Sequence, residues 1–129
     1  MQQKPSDNLL PAEAVQRLQE APIAWIATVR PNNRPHLVPV WFVFVDGKLY
    51  SCIEARSVKG RNLAANPHIS MALEEGKHPI ICEGRACFLQ KPWPPTVIQA
   101  FLSKYEWDID SEERYNALVQ VTPDKWMKW

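Results

Sequence analysis

The chain has 129 residues, 46% apolar and 22% charged, and its 15 basic and 14 acidic side chains leave a net charge of +1. That composition predicts one globular domain able to bury a core unaided, and excludes a disordered chain and a gross basic field for nucleic acid. No apolar run reaches the ~20 residues of a membrane span.

Residues 1–9 are polar and are expected to be loose, with no apolar leader segment. Pro11 opens a helix as a first-turn residue; Leu10, Ala14 and Leu18 form its apolar stripe and Pro22 ends it. Residues 23–30 read as a strand buried on both faces, followed by a turn at Pro31–Arg34. Residues 36–45 read as a second strand in which Pro39, lacking a donor, must lie at an edge or a bulge. Asp46-Gly47 signals a hairpin into a third strand over 48–54, where Leu49, Ser51 and Ile53 share one face. A short helix over 57–65 takes Ser57 as N-cap and stops at Asn66-Pro67. Strands follow over 68–74 and 79–89, joined by a turn at Glu75–Lys77. After the rigid loop 91–95, a helix spans 96–105, and another short one runs from Ser111 to Ala117. Residues 118–122 make the last strand before a tail. Six strands joined by tight turns, with a few short helices, predict an α+β fold built on a small antiparallel barrel.

The densest polar cluster, Arg56-Ser57-Val58-Lys59-Gly60-Arg61-Asn62, leaves a strand and enters a helix. Backbone N–H groups at a helix start bind anions, Ser57 offers a hydroxyl, and Lys59 and Arg61 offer charge, so these residues suit a phosphate; a solvated basic helix is the alternative. His36, His68 and His78 are too scattered for a metal site and read as surface or strand packing. Cys52, Cys82 and Cys87, odd in number and without a CxxC pair, form neither a disulfide framework nor a zinc site and point to the reducing cytoplasm. Trp25 and Trp41 lie in strands as core or cofactor wall. The acidic run Glu106, Asp108, Asp110, Glu112 and Glu113 reads as a solvated face.

The strand I-A-x-I-A-T-V, the segment R-P-H-L-V-P-V-W-F, and S-x-K-x-R-N-L-x-x-N-P after a strand together resemble the pyridoxamine 5′-phosphate oxidase-like family of flavin-binding split β-barrels. The resemblance covers residues 10–90 and, more loosely, V-T-P-D-K-W. It implies a single FMN-binding split-barrel domain over 1–129, working as a homodimer with cofactor sites at the subunit interface. It further implies that Val38, Pro39, Val40 and Trp41 lie along the flavin ring and that Ser51, Cys52 and Ile53 reach the ribityl chain and phosphate. Ser57 and Lys59, with Arg61 in a lesser part, would hold the phosphate. The chain departs from the oxidases proper at His36, Leu37 and Val58, and TPDKWMKW lacks their substrate-binding Arg and His.

The expected function is a flavin-dependent oxidoreductase acting on a small molecule, with no membrane or nucleic-acid partner. The deazaflavin F420 is the alternative cofactor and a non-catalytic flavin carrier the alternative role. A barrel that stacks nucleic-acid bases on its tryptophans is a minor reading, opposed by the charge of +1.

Overall fold

The computed structural model describes residues 10–128; residues 1–9, expected to be loose, lie outside that range. Helix α1 (Ala12–Glu20) buries Ala14 and Leu18 against the barrel, as the stripe requires. Pro11 is its N-cap, one step outside the first turn.

Seven strands rather than six form one antiparallel sheet, β1 (Ala24–Val29), β2 (Pro35–Val40), β3 (Val43–Val45), β4 (Lys48–Ile53), β5 (His68–Leu73), β6 (Ile80–Leu89) and β7 (Ala117–Lys128). Their order is β2-β1-β5-β6-β7-β4-β3. The seventh strand arises because the expected strand over 36–45 breaks at Trp41-Phe42. β2 and β3 are consecutive in the chain yet occupy opposite edges of the sheet, so residues 41–42 carry the chain across the barrel seam. No ladder serves the backbone there, and side chains replace it. Ser51 Oγ donates to the Trp41 carbonyl (2.8 Å), Phe42 N donates to Tyr105 Oη (3.1 Å), and Lys104 Nζ donates to the Phe42 carbonyl (2.9 Å). Pro39 sits on edge strand β2, where its missing donor costs nothing.

β1 is fully buried on one face only: Ala24, Ile26 and Thr28 point inward, and the alternate residues are half-buried. β3 and β4 close a two-residue turn in which Asp46 and Gly47 both adopt positive φ (50° and 79°), the conformation that Asp-Gly favours. β4 is buried on both faces because it divides two cores. Leu49 and Ile53 join the main one beneath α1. Tyr50 and Cys52 join a second with Trp93, Val97, Phe101, Ile109 and Leu118.

Helix α2 (Val58–Ala65) starts at Ser57, whose hydroxyl accepts from Gly60 N at 3.1 Å. It is tied to the sheet by a buried polar pair, Asn62 Nδ2 donating to Thr28 Oγ1 at 3.0 Å. Helix α3 (Pro95–Tyr105) packs Val97 and Phe101 into the second core.

Two expectations near the C-terminus are corrected. The segment from Ser111 to Ala117 is not a helix: a single 3₁₀ turn, Ile109–Ser111, precedes an irregular stretch. Only Ile109 there is apolar and buried, so no stripe exists for a helix to bury. The last strand does not stop at residue 122 but runs on to Lys128, paired with β6 throughout. Pro123 is accommodated by an irregularity at Glu83/Gly84, where Gly84 faces it. Among the described residues no helix is long and apolar enough to cross a membrane.

Candidate functional site

A cleft of about 620 Å³ opens where the seam, the end of β4 and the end of α3 converge. Its walls are Ile23, Pro39, Val40, Trp41, Cys52, Ile53, Lys59, Tyr105, Glu106, Trp107, Glu112 and Tyr115. The volume falls in the range of small-molecule and cofactor sites.

Two charge environments meet in it. The first is cationic and comes from the start of α2 and the β1–β2 turn. Lys59 lines the cleft, and its charge reaches His36 on β2. Arg30 Nη2 lies 3.0 Å from His36 Nδ1, while its Nη1 donates to the Pro35 carbonyl at 2.8 Å. A guanidinium has no acceptor, so His36 Nδ1 accepts and the neutral ring carries its proton on Nε2. Burial first, then Arg30 and Lys59, hold the His36 pKa below its ordinary 6.5. Lys59 therefore brings charge to the cleft at the start of α2, where the helix dipole adds partial positive charge, while Arg30 and the neutral His36 pair with one another on β1–β2.

The second environment is aromatic and acidic and comes from the connection between α3 and β7. The Trp41 ring stacks on Tyr105 with centroids 4.4 Å apart and planes 6° apart. Trp107 stands edge-on to Trp41 (5.8 Å, 80°) and to Tyr115 (5.6 Å, 87°). Glu112 Oε1 accepts from Trp107 Nε1 at 2.8 Å, and Glu106 caps α3 in the left-handed conformation at φ 55°. Burial, reinforced by Glu112 and opposed by Lys91, pushes the Cys52 thiol up to about 12. That thiol donates to the Tyr115 carbonyl at 3.3 Å and is no nucleophile at neutral pH.

Of the residues singled out by sequence, Pro39, Val40, Trp41, Cys52, Ile53 and Lys59 line this one cleft. Val38 packs against the main core. Ser51 is buried, its hydroxyl donated to Trp41. The single Ser57 hydroxyl proton goes to the Glu54 carbonyl at 2.7 Å, so in this state it serves as a cap. Arg61 points into solvent. Sequence reasoning read Glu106 and Glu112 as part of a solvated face; Glu106 is exposed and Glu112 half-buried, and both line the cleft. It also left Tyr105 and Tyr115 unassigned. No local pattern marks these residues; they meet only because α3 and its loop fold back over the seam.

A family model described as pyridoxamine 5′-phosphate oxidase matches residues 10–129. No curated protein sequence matches the chain. Solved structures share the fold. A heme storage protein of Vibrio cholerae superposes with a TM-score of 0.80 at 20% identity, over 92% of this chain and 94% of its own. An F420 reductase superposes at 0.74 and 18% identity, over 92% and 98%. A FAD-binding protein of Mesorhizobium loti does so at 0.66 and 18%, over 91% and 92%. At these identities the structures establish the split-barrel fold, and the family match extends over nearly the whole chain. The chain belongs to the pyridoxamine 5′-phosphate oxidase family.

Proposed function

We propose that this protein binds FMN in the cleft at the barrel seam and uses it in a redox reaction on a small molecule. One observation carries the reading: Lys59, in the first turn of α2, lines a cleft walled by Pro39, Val40 and Trp41. The residues suit the group. A phosphate requires fixed positive charge and N–H donors, and a flat ring system requires apolar and aromatic walls. When bound, a flavin supplies the electron-transfer chemistry; the protein supplies position and electrostatics. Lys59 binds and orients, and Trp41 with its stacked partner Tyr105 forms one aromatic wall.

F420 is the other cofactor this corner would accept, since it too presents phosphate. The F420 reductase among the structural relatives keeps it in play.

The working unit in this proposal is a cytoplasmic homodimer. Edge strand β2 turns Leu37 and Pro39 outward, and Trp41 follows in the same row; Leu37 is 61% and Trp41 47% exposed. An unpaired apolar edge of this kind favours a protein partner, and a second copy would cover the cleft rim.

The test is the visible spectrum of the purified protein, followed by an FMN titration read by tryptophan fluorescence. Trp41 and Trp107 line the cleft, so saturable quenching near one FMN per subunit is expected. A colourless protein that responds to neither FMN nor F420 overturns the proposal. Reduction of the bound flavin by NADH or NADPH, with electrons then passed to an acceptor, separates an enzyme from a carrier.

A further inference from the structure

We infer that the side of the cleft built by the α3–β7 connection takes a planar organic cation, which would be the substrate class of the flavin reading on which this rests. The walls there are rings and carboxylates. Trp107 stands edge-on to both Trp41 and Tyr115 within 6 Å, forming a three-ring corner. Ring faces carry negative quadrupole charge and attract cations, most strongly for tryptophan.

Glu112 and Glu106 line the same cleft. Glu112 is held in place by the Trp107 indole at 2.8 Å, which occupies Oε1 and leaves its other oxygen for a ligand. Glu106 ends α3 in the αL conformation and its carboxylate is exposed at the cleft rim. Of the cations on this side of the chain, Lys91 and Arg114 are engaged elsewhere, while Lys59 lines the same cleft. Lys91 lies 3.8 Å from the Asp110 carboxylate and donates to the Asp110 carbonyl at 3.1 Å. Arg114 pairs with Glu54 at 3.0 Å and lies 5.7 Å from the Tyr115 ring centre, so one ring of this corner already faces a cation.

An anionic ring compound entering here would bring like charge against two carboxylates in a partly desolvated wall. A neutral one would leave the field unused. A flat cation gains both from the rings and from the carboxylates. Lys59 comes to the cleft from another element, α2, than the two carboxylates, which belong to the α3–β7 connection.

The experiment uses two flat probes of opposite charge, N-methylpyridinium and benzoate, titrated calorimetrically into the intact protein with and without FMN. The cation is expected to bind saturably and at least roughly tenfold more tightly than the anion. Glu112→Gln keeps the acceptor for Trp107 and removes only the charge; it should weaken the cation roughly tenfold while leaving the melting temperature in place. Equal affinity for the two probes, or undiminished cation binding in Glu112→Gln, overturns the inference. The wild-type FMN titration reports separately on the flavin reading. A protein that takes FMN but ignores probe charge loses only this inference. One that takes the cation but neither flavin nor F420 loses only the cofactor.

Discussion

Lys104 donates its ammonium to the Phe42 carbonyl at 2.9 Å and holds it 3.9 Å from the centre of the Phe42 ring. Phe42 is fully buried at the seam, so Lys104 is drawn into the protein with it, and burial pushes its pKa down to about 8. Between about pH 8 and the ordinary lysine value near 10.4, the unfolded chain keeps this proton and the folded chain has lost it. Unfolding then takes up a proton, so raising the pH through that window stabilises the fold. The buried Cys52 and Cys82 thiols, pushed up to about 12, act in the opposite sense over the same range, so the lysine shows as a difference: between pH 8 and 10 the urea midpoint of the wild type should rise relative to that of Lys104→Met. Parallel pH profiles for the two proteins would refute the assignment.

In the proposed site, Lys59→Ala would remove a charge-assisted contact to the flavin phosphate. FMN affinity should fall by about 1.5–3 kcal/mol with little change in fold stability. Fluorescence titration of the two proteins measures it, and equal dissociation constants would remove Lys59 from the site.

His36 links acidity to both folding and ligand. Its folded-state pKa lies below 6.5. On acidification the unfolded chain is therefore protonated first, and stability is lost as pH falls from about 6.5 through the folded value. A bound phosphate would offset Arg30 and Lys59 and raise the His36 pKa. NMR titration of the His36 ring with and without FMN should show an upward shift; an unmoved midpoint argues against phosphate at this corner.

Asn62 and Thr28 are 3% and 1% exposed and satisfy one another. Asn62→Leu strands the Thr28 hydroxyl and should cost about 1–3 kcal/mol of stability. Adding Thr28→Val should recover part of that loss, because both polar partners are then gone. Chemical denaturation of the full double-mutant cycle tests the coupling, and strict additivity would deny it.

Gly60→Ala in most helices would gain up to about 1 kcal/mol. Here a Cβ would meet the Ala55 carbonyl oxygen at 2.5 Å and that of Glu54 at 2.7 Å. Both contacts are rigid backbone, so α2 must move away from the end of β4. The expected outcome is a loss of about 1–3 kcal/mol, read as a lower melting temperature, together with weaker FMN binding through a displaced Lys59. A stabilised Gly60→Ala would show that the helix can shift freely.

The parts of this protein legible in its sequence are those governed by neighbours in the chain. The Asp46-Gly47 turn, the Ser57 cap and the Ala14–Leu18 stripe depend on φ preference, a hydroxyl three residues from an N–H, and helical period. That Lys59 and the seam residues Pro39, Val40 and Trp41 belong together is legible too, because a basic helix start and a family motif are each contiguous in the chain. What only the tertiary structure decided is where those pieces meet. The strand break at Trp41-Phe42 follows from β2 and β3 lying at opposite sheet edges, which no periodicity within 36–45 encodes. The last strand reads as 118–122 from sequence, and the irregularity that lets β7 continue past Pro123 lies across the sheet at Glu83/Gly84. Tyr105, Trp107, Glu112 and Tyr115 reach the cleft from more than 60 residues beyond Trp41, once α3 buries Val97 and Phe101 in the second core. Local rules set the elements; burial of a second apolar layer, acting between distant segments, assembled the cleft.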